Sequence, residues 1–214
     1  MNASKLSLSS FVAAACLAGA AHASALPIYS VGALSTEGLG AFTGSVEYTY
    51  LGSNTGQLAV SLTNTTDPTI GGFITAFMFR TPESMGTISS SMLSSSYPAL
   101  TNIPAGASGV PFPGSWIGGA GTGGTWLAGG SPNGGVGVGQ TGNWLFQITG
   151  AMTSMLTSSM FVGGNSNTDP YAFIVRFRGL ENGGSDKVPG EHVPSPAALS
   201  LVALAAGATT RRRR

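Results

Sequence analysis

Residues 44–65 read GSVEYTYLGSNTGQLAVSLTNT, and they decide the fold class. Val46, Tyr48 and Tyr50 alternate with Glu47 and Thr49, and Leu58, Val60 and Leu62 alternate with Ala59 and Ser61. A period of two puts apolar side chains on one face of an extended chain and polar ones on the other. GSNTG at 52–56 has turn composition, so the two runs predict a β-hairpin.

The same period recurs on either side. In GFITAFMFRTP (72–82), Phe73, Phe77 and Phe79 oppose Ile74, Ala76 and Met78. A strand apolar on both faces is a central strand covered from both sides, here ending at Pro82. Trp144, Phe146 and Ile148 give NWLFQITG an inward face, and Tyr171, Phe173, Val175 and Phe177 alternate with Ala172, Ile174, Arg176 and Arg178. With short strands expected in 34–44 and 116–138, the pattern predicts an all-β domain. It should be a mostly antiparallel β-sandwich of about 7–9 strands over 26–180, with Tyr48, Val60, Phe77, Phe146 and Phe173 in its core.

Composition agrees. The chain has 214 residues with 42% hydrophobic, 33 glycines and only 8% charged residues, against about 25% charged in ordinary domains. Five of the nine basic residues, Lys5 and Arg211 to Arg214, lie at the ends, which leaves four against eight acidic ones between them. A mildly acidic domain with no basic run interleaved with aromatics is not a nucleic-acid binder.

Residues 1–23 have the layout of a secretory signal peptide: Lys5, an apolar stretch from Phe11 to Ala20, then small residues before Pro27. Ala21-His22-Ala23 and Ala23-Ser24-Ala25 both meet the small-x-small requirement of signal peptidase, and cleavage after Ala23 is preferred. Cys16, the single cysteine, lies inside this leader, so the mature chain has no disulfide framework. Residues 24–180 form the domain. Residues 181–192, polar and rich in Gly, are expected to be an exposed linker.

The last 22 residues, VPSPAALSLVALAAGATTRRRR, pair a Pro element with an uncharged apolar run of 14 residues and four arginines. As a helix the run spans roughly 21 Å, short of the ~30 Å hydrocarbon core, and the arginines hold its end on the cytoplasmic side. Val193, Pro194, Ser195 and Pro196, the apolar run, and Arg211, Arg212, Arg213 and Arg214 together resemble the PEP-CTERM sorting signal of exported bacterial proteins. Ser195 stands where that signal usually has glutamate. The resemblance implies recognition and removal of the tail by an exosortase-like membrane protease after transient anchoring in the inner membrane. It also implies a bacterium that makes exopolysaccharide, with the mature domain delivered to the cell surface or extracellular matrix. The alternative is a permanent membrane anchor.

The inventory for chemistry is thin. Residues 84–168, 85 in all, contain no Asp, Glu, Lys, Arg or His, and general acid–base catalysis needs a titratable group at the reacting bond. Once the leader is removed His192 is the one histidine left, which leaves no Ser-His-Asp, Cys-His or zinc arrangement. No cofactor motif is present, and the glycines of 106–142 are not a phosphate cradle. Glycoside hydrolysis needs only two carboxylates, so Glu37, Glu47, Asp67, Glu83 and Asp169 keep a carbohydrate-active enzyme open. Asp67-Pro68 and Asp169-Pro170 read as turns. Asn64-Thr65-Thr66 is a glycosylation sequon. The Gly-rich segment reads either as turns between short strands or as a loop presenting Trp116 and Trp126 to glycans. The expectation is a non-catalytic surface or matrix protein associated with exopolysaccharide.

Overall fold

The computed structural model describes residues 24–127, 131–163 and 171–192. The leader, the sorting motif and tail, and Asp169-Pro170 lie outside the described residues. Among the described residues there are eleven strands: β1 (Leu26–Ser30), β2 (Phe42–Gly52), β3 (Thr55–Asn64), β4 (Gly71–Phe79), β5 (Ser89–Ser95), β6 (Leu100–Ile103), β7 (Gly118–Thr122), β8 (Val136–Gly137), β9 (Thr141–Thr149), β10 (Phe173–Leu180) and β11 (Ser185–His192). Every pairing is antiparallel, in the order β5-β9-β3-β2-β1-β11-β10-β4-β7-β6, with β8 on β4. The β1–β11 pair is the seam at which this sheet folds over, so β5-β9-β3-β2-β1 packs on β11-β10-β4-β7-β6. Across the open side Ser90 Oγ donates to the Ile117 carbonyl at 2.8 Å and Met92 N to Asn102 Oδ1 at 2.9 Å, which brings the sandwich close to a barrel.

The quoted hairpin is β2–β3, with Val46 opposite Val60 and Tyr48 opposite Leu58. Ser53 and Asn54 both take positive φ, 49° and 59°, as a two-residue hairpin turn of the I′ kind requires. Between the layers Phe77 meets Trp144 edge-on at 4.7 Å, Phe146 at 6.0 Å and Phe173 at 5.8 Å, and Phe79 meets Phe146 at 4.9 Å. Tyr48, Val60, Phe77, Phe146 and Phe173 are all buried in this core, as the alternation predicts.

β4 is the doubly covered strand. Phe77 and Phe79 face the inter-sheet core, while Ala76 and Met78 join Ile103, Trp116, Trp126 and Ile174 in a second core on the outer side. Gly119 in β7 lies so close to β4 that a Cβ there would collide with the Phe77 carbonyl, one reason the sequence is Gly-rich here.

Two expectations are corrected. The short strands expected in 116–138 are β7 and β8, but the described residues hold more strands than predicted, because β5 (SSSMLSS) and the four-residue β6 (LTNI) carry too few apolar residues to show an alternation. Residues 181–192 are not a linker: Ser185–His192 is β11, which pairs with β10 from Ile174↔Pro189 to Arg178↔Ser185 and with β1 from Ile28↔His192 to Ser30↔Gly190. Asp186 and Val188 are its inward residues, and a charged residue at an inward position hid the alternation.

The Asp67 turn is as expected, with Thr69 donating to Asp67 Oδ1 through its backbone N at 2.8 Å and its hydroxyl at 2.7 Å. These bonds draw the exposed carboxyl below its ordinary pKa. The sequon asparagine, by contrast, is buried. Asn64 Nδ2 donates to the Gly72 and Val136 carbonyls at 3.1 and 3.0 Å, and its Oδ1 accepts from Thr66 N at 3.1 Å. Asn64 therefore clips β3 to β4 and β8, and Asn64→Ala should cost about 1–3 kcal/mol by stranding buried carbonyls. Chemical unfolding measures that cost, and mass spectrometry of the folded protein should find no glycan at Asn64.

Candidate functional site

Trp116 and Trp126 are not exposed platforms. They are 4% and 1% accessible and form the centre of the second core, under a loop that runs over the outer face of β4, β7 and β10. The neck of that loop is closed by Gly106 N donating to the Trp116 carbonyl at 3.1 Å, and Ala107, Val110 and Phe112 pack beneath it. Arg80, the residue after β4, is buried below the loop. Its guanidinium lies 5.4 Å from the Trp116 ring centre, and its Nε donates to the Tyr171 carbonyl at 2.6 Å. The expected glycan contact through exposed indoles is thus corrected: the apolar side of the loop faces down because a nearby sheet face offers it more burial than water does. Tyr171 joins this second core against Phe112, at 4.6 Å, and not the inward row of Phe173.

The carboxylates are dispersed. Glu37 is exposed after the first 3-10 turn, Glu83 begins another such turn, and Asp67 is held in its own turn. Glu47 and Glu191 lie on the outer face of the β2 side, with β1 between them. From the register, Tyr29 opposite both Thr43 and Glu191, their Cα atoms are roughly 17 Å apart. A cavity of about 270 Å³ bounded by 103–108 and 124–127 contains no carboxylate, and one of about 380 Å³ at Leu39, Ile70, Glu181 and Asn182 contains one. Among the described residues no cluster of three His, Cys, Asp or Glu could hold a metal.

Asp186, which the linker reading passed over, is fully buried and accepts four hydrogen bonds. Thr36 Oγ1 and Glu37 N donate to Oδ1 at 3.0 and 2.9 Å, and Leu39 N and Gly40 N to Oδ2, each at 2.8 Å. Burial pushes its carboxyl up, but three backbone N–H groups and a hydroxyl outweigh burial and leave it below the usual carboxylate range. Its oxygens are occupied in fastening the loop after β1 to β11, which makes Asp186 a structural group.

The basic residues are arranged with more order. All four described cations, Arg80, Arg176, Arg178 and Lys187, lie on the outer face of the β11-β10-β4-β7 layer. Arg80 is roofed by the loop. Arg176 stands directly opposite Lys187, with Arg178 two residues further along the same strand. Arg176 Nη1 donates to the Trp126 carbonyl at 2.8 Å, while its Nε is buried and without an acceptor. Burial and the neighbouring Arg178 both lower the pKa of Arg176. Arg176 and Arg178 were legible in the sequence as the outward face of a strand; Lys187 was not, because it belongs to the strand that read as a linker.

No family model and no curated protein matches the chain. Among solved structures, it is similar to biomass-sensing modules from RsgI-like proteins of Clostridium thermocellum, described as resembling the family 3 carbohydrate-binding module of the cellulosome. The TM-score is 0.31 with 12% identity, over 61% of this chain and 89% of that chain. So remote a likeness carries neither ligand nor activity across. No helix among the described residues is long and apolar enough to cross a membrane.

Proposed function

We infer that this is an exported, non-catalytic surface or matrix protein of a bacterium, sorted by its two ends and associated with the cell's own exopolysaccharide. The dispersal of its carboxylates carries the non-catalytic part of this reading. Among the described residues the one buried acid, Asp186, is saturated by structural donors, and Glu47 and Glu191 stand on either side of β1 with Cα atoms roughly 17 Å apart. The placement of the ends supports the sorting part. β1 and β11 are neighbours in the sheet with Ile28 opposite His192, so the leader and the tail join the domain side by side. A domain held by both segments would rest on one end, with the rest of the sandwich facing away from the membrane.

On this reading signal peptidase removes residues 1–23, and an exosortase-like protease removes the tail after brief anchoring in the inner membrane. The intact mass of the exported protein is expected to lack both the leader and Arg211 to Arg214. Pro194→Ala with Pro196→Ala should leave the tail in place, whereas Ser195→Glu should be processed at least as well as the natural protein. A stable membrane fraction that retains Arg211 to Arg214 would establish the permanent anchor instead, and loss of processing in Ser195→Glu would refute the sorting motif. Hydrolysis of the host polymer, abolished by one carboxylate-to-amide change, would refute the non-catalytic assignment.

A further inference from the structure

We propose that the end of the sandwich made by the β2–β3 turn and the 3-10 turn Thr153–Met155 docks on the lipid bilayer, with Tyr50, Leu51 and Met155 entering the interface while the tail is inserted; this rests on the sorting reading above. β11 runs to His192, so only residues 193–196 separate the folded domain from the apolar run that begins at Ala197. From His192 to Ala197 the chain spans at most about 17 Å. Ile28 stands opposite both His192 and Gly44, and β2 and β11 run in the same direction, toward the β2–β3 turn. From Gly44 to Ser53 in that turn is about 30 Å along the strand. Two strand-to-strand twists of about 20–25° each leave roughly 20 Å of this along the direction in which β11 leaves the domain. A domain upright on its tether therefore brings the turn to the bilayer surface at which the apolar run enters.

This end has the composition that such a place requires. Tyr50, Leu51 and Met155 are exposed there, and the two turns are fastened to one another: Gly150 N donates to the Asn54 carbonyl at 3.1 Å and the Tyr48 hydroxyl to the Thr153 carbonyl at 2.8 Å. Among the described residues of its loops, 50–55, 82–88 and 150–163, Glu83 is the one charged residue, and the charge-free stretch 84–168 supplies most of them. A charge carried into the interface would have to be desolvated, whereas tyrosine, with an apolar ring and a polar tip, favours the headgroup level. Three apolar side chains grip a bilayer weakly by themselves. The short tether holds them at high local concentration beside it, so the docking lasts as long as the tail is attached.

The test uses the full chain carrying Cys16→Ser, so that an introduced cysteine is the single one. It is produced in a host without the sorting protease and reconstituted into vesicles of phosphatidylethanolamine and phosphatidylglycerol. A fluorescent label at Ser154→Cys, beside Met155, should be quenched by lipids spin-labelled near the headgroup, and a label at Ala33→Cys, exposed at the opposite end, should not. Because the contact is apolar, the quenching should persist from about 50 to 500 mM salt. Tyr50→Ser with Leu51→Ser should lower the docked-to-free ratio about tenfold, with Tm unchanged since both side chains are exposed in the folded domain. Vesicle-bound protein whose Ser154→Cys label is quenched no more than the Ala33→Cys label, or whose quenching is abolished by salt or survives the double substitution, would overturn the docking end and leave the sorting reading intact. Protein that does not stay with the vesicles at all would overturn the insertion of the tail and the docking with it.

Discussion

Phe77→Ala should cost the domain about 3–5 kcal/mol, the range for emptying a buried aromatic site. Phe77 is inaccessible to solvent and touches three other rings, Trp144 and Phe146 on the facing layer and Phe173 on the neighbouring strand. Its removal breaks edge-on contacts across the sandwich and leaves a cavity whose walls belong to two sheets, which cannot collapse without shifting a whole layer. The chain has a single cysteine, so no disulfide within it restrains the unfolded state in compensation. Against a total of about 5–15 kcal/mol for domains in general, the variant should be close to unfolding. Urea titration at unchanged slope measures the loss. A cost below about 1 kcal/mol would mean that the aromatic cluster does not hold the layers together.

Asp186→Asn should be comparably damaging, at about 2–5 kcal/mol, because two of the four donors to this buried side chain lose their acceptor. An amide has one oxygen. In either orientation its NH₂ faces a pair of donors, Thr36 Oγ1 and Glu37 N or Leu39 N and Gly40 N. The loop after β1 should loosen first, since this carboxylate fastens it to β11. The pH dependence follows from the direction of the shift. The folded carboxyl lies below its ordinary value, so its stabilisation is fully present above the unfolded pKa of about 3.9. It is lost as pH falls from there through the lower folded value. The natural protein should lose stability in that acid window, and Asp186→Asn, which does not titrate there, should show a shallower decline. Equal slopes would show that other carboxylates govern acid unfolding.

Much of the sandwich is legible in the sequence because period-two alternation is a local property. The β2–β3 hairpin, with turn residues at 52–56, and the inward rows of β9 and β10 need no knowledge of their neighbours. β4 declares itself central by being apolar on both sides. These residues alone establish an all-β domain, and they identify Tyr48, Val60, Phe77, Phe146 and Phe173 as its core.

What the tertiary structure alone decided are the features whose cause lies far away in the chain. β11 read as a linker because an inward aspartate is tolerable only where donors from residues 36–40 surround it, some 150 positions earlier. Trp116 and Trp126 could have been platforms or core, and the apolar outer face of β4 and β10 settled that they are core, since burying an indole against that face removes more apolar surface from water than leaving it exposed. Asn64, a sequon on paper, became a clip because β4 and β8 bring two carbonyls to its amide. The dispersal of the acids and the facing of Arg176 with Lys187 are likewise products of strand order and register, which set single residues into an arrangement that no segment shows alone.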